Sequence, residues 1–161
     1  MIHTKTITIM AATAVLLLLL SCGAKAGYSD GSTSLNCPGC PAIPVTEVID
    51  GDTFGSFNKT VRLYGVDTPE RGEPCYDEAT YRFRELASDS VRVEPGSRRT
   101  DSYGRLLYYV YTTDGQSIDE ILIQEGLAQA WPEDGQHRNV LLAVEERARE
   151  NQTGCWKGGV E

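Results

Sequence analysis

The stretch from Ile43 to Tyr64 constrains the fold more than any other part of the chain. Val45, Glu47 and Ile49 share one face of an extended segment that ends at Asp50-Gly51. Thr53 to Phe57 and Thr60 to Tyr64 read as two further strands flanking Asn58-Lys59, a hairpin turn without the favoured Asn-Gly. The period then changes. Between Asp77 and Ser88, the apolar residues Ala79, Phe83, Leu86 and Ala87 fall at helical spacing. Val91 to Val93 and Leu106 to Thr112 return to strand, the second ended by Asp114-Gly115. Ser117 opens another helix with a capping box, its hydroxyl accepting from the Glu120 N–H while the Glu120 carboxylate reaches back to the Ser117 N–H. That helix stops at Gly126. A last helix covers Asn139 to Glu150, with Val140, Val144 and Ala148 as its apolar stripe. Five short strands and three helices predict an α+β domain built on a small barrel, but this order does not by itself separate an OB-like barrel from other small β folds.

With 161 residues and 40% apolar content, the chain suits one domain with a real core and not comfortably two. Residues 1–21 stand outside that domain. The apolar run from Ile9 to Leu20, behind Lys5, is shorter than the roughly 20 residues a membrane span takes and fits a secretory signal peptide. Leu19-Leu20-Ser21-Cys22 has the form of a bacterial lipobox, in which the cysteine is lipidated and becomes the new N-terminus. Ala24-Lys25-Ala26 is the rival, an ordinary cleavage site. The expectation is an exported protein lipid-anchored to the cell envelope through Cys22, the alternative being a freely secreted or periplasmic one. Residues 22–41, rich in Gly, Ser, Pro and Ala, read as a flexible tether, which leaves residues 42–158 as the domain.

With Cys22 consumed by lipid, Cys37, Cys40, Cys75 and Cys155 remain, and an even count in an exported chain reads as disulfides. Three pairings are open. The favoured one joins Cys37 to Cys40 through a local turn and Cys75 to Cys155 across a loop of about 80 residues, the latter worth about 4 kcal/mol by chain entropy. A zinc site built from all four is the competing reading, weakened by the single C-x2-C spacing. The net charge of −8, more negative still once Lys5 is removed, opposes phosphate binding. The arginines soften that objection: Arg62, Arg71, Arg98, Arg99 and Arg105 cluster in the middle of the chain, while much of the acid lies in the C-terminal third.

Three segments carry the chemistry: Asp50-Gly51-Asp52-Thr53, Arg62-Leu63-Tyr64-Gly65-Val66-Asp67-Thr68-Pro69-Glu70, and Asp101-Ser102-Tyr103-Gly104-Arg105. Two carboxylates following strands, with backbone carbonyls and water, are what a hard, oxygen-seeking cation requires. Arginine suits phosphate because its planar fork donates two parallel hydrogen bonds. Arg62 alternates with Val61 and Leu63 and so belongs on the opposite face of its strand. Each segment alone is an ordinary turn or surface strand. In this order and together they resemble the active-site signature of the thermonuclease (staphylococcal-nuclease-like) family, over about residues 43–157.

The resemblance implies an OB-fold barrel decorated with helices, and Ca2+-dependent endonucleolytic cleavage of DNA and RNA to 3′-phosphate ends by a monomer. It implies Asp52, Asp67 and the Thr68 carbonyl as metal ligands, with Asp50 behind them. Glu70 would activate water, and Arg62 and Arg105 would stabilise the charged phosphate. Tyr103, next to Gly104 and Arg105, reads either as a ring that stacks on a base or as half-buried strand packing. Ser102 stands where the family often has lysine. Ala128-Gln129-Ala130-Trp131-Pro132-Glu133-Asp134 replaces a stretch with tyrosines and lysines, so the departures fall on substrate affinity. The competing class is a non-catalytic OB-type module that binds nucleic acid or protein. It has no need of the complete set Asp52, Arg62, Asp67, Glu70 and Arg105.

Overall fold

Bends at Asp50-Gly51 and the Phe57-Asn58 turn break the first third of the domain into short strands. The computed structural model describes residues 33–157; the signal segment, Cys22 and the first part of the tether lie outside them. The strands are β1 (Ala42–Pro44), β2 (Glu47–Val48), β3 (Thr53–Ser56), β4 (Lys59–Leu63), β5 (Val66–Asp67), β6 (Ser90–Thr100), β7 (Leu106–Tyr111) and β8 (Gln129–Ala130). The helices are α1 (Tyr76–Ala87), α2 (Ile118–Gln124) and α3 (Arg138–Glu150), and a 3-10 turn covers Gly154–Trp156. One sheet has six strands in the order β1-β6-β7-β4-β3-β2; β5 and β8 form a separate antiparallel pair. All neighbours in the large sheet are antiparallel except β4 and β7, which run parallel with Val61 opposite Leu106. The result is the α+β architecture expected, a curled mixed half-barrel with three helices.

The core explains why the sheet curls around the helices. Phe54, Val61, Leu63, Val91, Val93 and Val110 point inward from the strands and meet Phe83 of α1, Leu122 of α2 and Leu141 and Val144 of α3. The Phe54 and Phe83 rings pack with centroids 5.8 Å apart. Burial of such side chains is the main favourable contribution, about 1.5–3 kcal/mol each.

Several local expectations shift by a residue or more. The hairpin turn is Phe57-Asn58, since Ser56 pairs with Lys59, and it puts Phe57 at φ 51°. β6 spans 11 residues where a short strand at Val91–Val93 was expected. A bulge between Pro95 and Thr100 absorbs the proline and glycine that read as a strand end. α3 is rotated from the anticipated stripe: Val140 is 38% exposed, while Leu141, Val144 and Ala148 are buried. Leu141 sets this rotation by packing against Gly65, where an added Cβ would lie 2.3 Å from Leu141 Cδ1.

The capping box at α2 is only half made. Ser117 Oγ accepts from the Glu120 N–H at 3.1 Å, but the Ser117 N–H donates to the Leu35 carbonyl and to Thr33 Oγ1. The buried Glu120 carboxylate instead accepts from the backbone N–H groups of Ser34 at 2.9 Å and Leu35 at 2.8 Å. Residues 33–41 are therefore docked, not part of a free tether. Asn36 forms a bridge with Gln116, the Cys37 N–H donates to Gly115, and Leu35, Cys37 and Cys40 pack on the core. The disulfides are Cys37–Cys40 and Cys75–Cys155, the favoured pairing.

Asp119 of α2 is fully buried and ties three elements together. Its carboxylate accepts from the Gly65 N–H at 3.1 Å and from the Val110 N–H at 2.9 Å. Burial pushes its pKa up to about 7, against the pull of those backbone donors. The folded state thus holds a proton that the unfolded chain releases near pH 3.8. Its contribution to stability is complete below that pH and is lost as pH rises through about 7. Denaturant titrations between pH 4 and 8 should show stability falling by a few kcal/mol from this source. Asp119→Asn should be less stable overall but lack that slope; an unchanged slope in the variant would show that Asp119 does not titrate in this range.

Candidate active site

Asp52 lies at the start of β3 with 3% of its surface exposed, and every oxygen of its carboxylate is engaged. Oδ1 accepts from Thr53 Oγ1 at 2.9 Å and from Arg62 Nη1. Oδ2 accepts from the Thr68 N–H at 3.0 Å and from Thr68 Oγ1 at 3.1 Å. Gly51 makes this possible by close approach and not by an unusual backbone angle: a Cβ there would lie 2.7 Å from Thr68 Oγ1. Asp50, half-buried, accepts from the Asp52 N–H at 3.1 Å. Burial first, and then the charge of Asp52, raise the Asp50 pKa above the usual carboxylate range.

Arg62 comes from β4, whose Val61 and Leu63 face the core, so its side chain takes the opposite face as alternation requires. The guanidinium bridges two acids. Nη1 donates to Asp52 and Nη2 to Asp67 at the end of β5. Burial works against its charge, but Asp52 and Asp67 more than offset this and keep it protonated above its ordinary range. Asp67 remains half-exposed, and among the described residues its Oδ2 has no hydrogen-bond partner.

Arg105 joins the same network through Thr53, which sits opposite Arg62 in the β3–β4 register. Arg105 Nη1 lies 3.4 Å from Thr53 Oγ1, while Nε donates to Asp101 at 2.6 Å. Asp101 also accepts from the backbone N–H groups of Tyr103 and Arg105, closing a tight turn that carries Gly104 at φ 79°. Burial would raise the Asp101 pKa; its bonds to Arg105 outweigh that and hold it below the usual range. Tyr103 is 85% exposed, with the Arg105 guanidinium 5.5 Å from its ring centroid.

Asp50, Asp52, Arg62, Asp67, Thr68 and Arg105 are thus brought into one network, with Tyr103 at its border. Glu70 sits apart in the loop between β5 and α1, exposed, and among the described residues its carboxylate has no hydrogen-bond or ion-pair partner. Thr53 and Asp101 were not singled out from sequence, though both stand inside the quoted segments. Their roles depend on cross-strand register and on the turn, which residue type alone does not reveal. His137 bonds Glu94 at 2.9 Å and packs edge-on against Tyr109. Trp131 bonds Asp134 at 3.0 Å, which also pairs with Arg98.

The donor set matches a hard divalent cation in kind. Arg62 already places positive charge between the Asp52 and Asp67 carboxylates, so their oxygens converge on a cationic centre. Among the described residues no cluster of three or more Asp, Glu, His or Cys groups converges on one point, so two carboxylates and the Thr68 carbonyl would be the protein's whole contribution.

Comparison with known proteins meets this geometry. The family model described as staphylococcal nuclease homologue matches residues 60–158. The thermonuclease of Staphylococcus intermedius is 34% identical over 126 residues, covering 70% of this chain and 74% of that protein. The succinoglycan biosynthesis protein ExoI of Rhizobium meliloti (strain 1021) is 32% identical over 131 residues, 75% of this chain and 68% of the relative. Endonuclease YncB of Bacillus subtilis (strain 168) is 40% identical over 100 residues, 54% of this chain but 46% of its own length. The chain with the Asp52–Arg62–Asp67 bridge belongs to the staphylococcal nuclease homologue family.

Proposed function

We propose that this protein is a monomeric, calcium-dependent endonuclease that hydrolyses phosphodiester bonds of DNA and RNA and leaves 3′-phosphate ends. The observation that carries the reading is the single network in which two acids grip Arg62 while Thr53 ties Arg105 to the same point. Relatives named thermonuclease and endonuclease support it. Export and attachment to the envelope through Cys22 belong to the same proposal, supported by the Leu19–Cys22 pattern and by two disulfides, which persist in oxidising compartments.

A divalent cation held by Asp52, Asp67 and the Thr68 carbonyl would supply Lewis-acid charge at one phosphate oxygen. The chain's own groups do the remainder. Arg62 is held charged by its acids, and Nη1 keeps a second N–H for a phosphate oxygen. Arg105, oriented by Asp101 through Nε, presents its Nη groups to the same phosphate. Glu70, with no partner of its own, takes a proton from the water as it attacks phosphorus; the bond to the 5′-oxygen breaks, and that oxygen takes a proton from solvent to leave as a 5′-hydroxyl opposite the 3′-phosphate. Tyr103 stacks on a neighbouring base. The net charge of −8 makes binding weak and salt-sensitive.

The relative named for succinoglycan biosynthesis and the acidic balance favour, as second reading, a non-catalytic OB-type module. Single-stranded and duplex DNA and RNA, incubated at low salt with Ca2+, Mg2+ or EDTA, separate the two. The nuclease cleaves with Ca2+, stops with EDTA and leaves 3′-phosphates; binding without cleavage favours the module.

Glu70→Ala should lower kcat by about 10²–10⁴ with unchanged stability. Arg62→Ala should lose turnover and also about 1–3 kcal/mol of stability, because it strips a buried carboxylate of its counter-charge. Wild-type turnover in either purified variant overturns the assignment. Thr53→Val, isosteric and buried, should cost about 1 kcal/mol in denaturant titrations and reduce kcat by loosening Arg105; wild-type kcat would remove Thr53 from the site.

A further inference from the structure

We propose that the Cys75–Cys155 disulfide is a positioning clamp for the loop that carries Glu70, an inference that rests on the nuclease reading for its catalytic consequence. Residues 69–74 connect β5 to α1, and the hydrogen bonds that shape them stay local. The Glu70 N–H donates to Glu73 Oε2 at 2.7 Å, the Glu73 N–H to the Glu70 carbonyl at 2.9 Å, and the Tyr76 N–H to the Glu73 carbonyl at 3.4 Å. Among the described residues, 69–74 make no hydrogen bond or ion pair to β3, β4, β7, α2 or α3. Packing holds it little: residues 70–74 are all exposed. Pro69, Glu73 and Pro74 line one wall of a pocket of about 290 Å3 whose other residues include Leu127, Ala128 and Trp156.

The loop is therefore fixed only at its ends. At one end Thr68 bonds Asp52 through its N–H and hydroxyl. At the other stands Cys75, a non-glycine residue at φ 68° that begins α1 without any side-chain cap. A left-handed backbone at such a residue is costly and must be held by its surroundings; Cys75 is tied by the disulfide and by its carbonyl, which accepts from the Ala79 N–H at 3.0 Å. Its far end is rigid. The Cys155 N–H donates to the Gly126 carbonyl at 3.1 Å, and Trp156 lies under Arg149 at 3.7 Å. Arg149 is in turn held by Glu145, which accepts from the Ala130 N–H at 3.0 Å. The bridge thus couples the Glu70 loop to the turn after α2 and to the end of α3.

A dithiol such as dithiothreitol opens the bridge by two thiol–disulfide exchanges, leaving two cysteine thiols and the oxidised reductant. The experiment compares the oxidised wild type with Cys75→Ser/Cys155→Ser, and with Cys37→Ser/Cys40→Ser as control. kcat and KM are measured on single-stranded DNA with Ca2+, and hydrogen exchange is followed at residues 69–74. The Cys75/Cys155 variant should lose about tenfold in kcat, less than removal of the base itself, with KM changing less than kcat. Exchange at 69–74 should rise while the core strands stay protected, and the control should change neither. Wild-type kcat in that variant, or unaltered exchange at 69–74, overturns the clamp. If the variant does not fold, dithiothreitol is added to the folded Cys37→Ser/Cys40→Ser protein, whose Cys75–Cys155 bridge is then the disulfide that opens. Reduction should reproduce the kcat loss and the faster exchange at 69–74, and values unchanged from the oxidised state would overturn the proposal. Inactivity of the oxidised wild type would sink the nuclease reading alone, leaving exchange before and after reduction to decide the clamp.

Discussion

A buried carboxylate governs this structure. Asp52 sits inside the fold with donors from Thr53, Arg62 and Thr68 on both of its carboxylate oxygens, which a buried acid needs. Those donors come from β3, from β4 and from the residue after β5, so the register of three segments is set by one acid's need for partners. Arg62 then carries the requirement outward to Asp67, and Thr53 carries it to Arg105. Folding and the candidate chemistry share one constraint: a chain that mispaired β3 and β4 by one residue would strand both a charge and an active site.

A second buried acid, Asp119, holds the opposite relation to function. It bonds Gly65 and Val110 across the core and touches no group assigned to catalysis. Glu120, next to it, reaches a part of the chain 85 residues away and fixes where the N-terminal segment docks. α2 is short, but its two consecutive acids organise the turn before β5 on one side and residues 34–35 on the other. The disulfides extend this logic. Cys37–Cys40 shapes the docked segment, and Cys75–Cys155 joins the loop after β5 to the 3-10 turn at Gly154–Trp156.

The residues of the Asp52–Arg62–Asp67–Arg105 network were legible as candidates because their chemistry is local: each sits in a short segment whose composition is unusual. The helices were legible from period, since Ala79, Phe83 and Ala87 are buried as their spacing requires. What escaped is what depends on distant partners. Glu120 looked like half of a capping box because the reciprocal partner is local, whereas Ser34 and Leu35 are not. β6 looked short because Pro95 and Gly96 normally end strands, and only pairing with β7 shows a bulge carrying it through. The α3 stripe was one residue out at its start because the close approach of Leu141 to Gly65 is a tertiary fact. Thr53 gained its role only when the register set it opposite Arg62.

A crystal structure of the oxidised protein with Ca2+ and a non-hydrolysable dinucleotide tests the central claim most directly. The account predicts a phosphate oxygen and the cation against Asp52 and Asp67, with Arg62 and Arg105 both donating to that phosphate. A phosphate bound elsewhere, with Arg62 still closed on its two acids, would contradict it and leave the bridge as a purely structural ion pair.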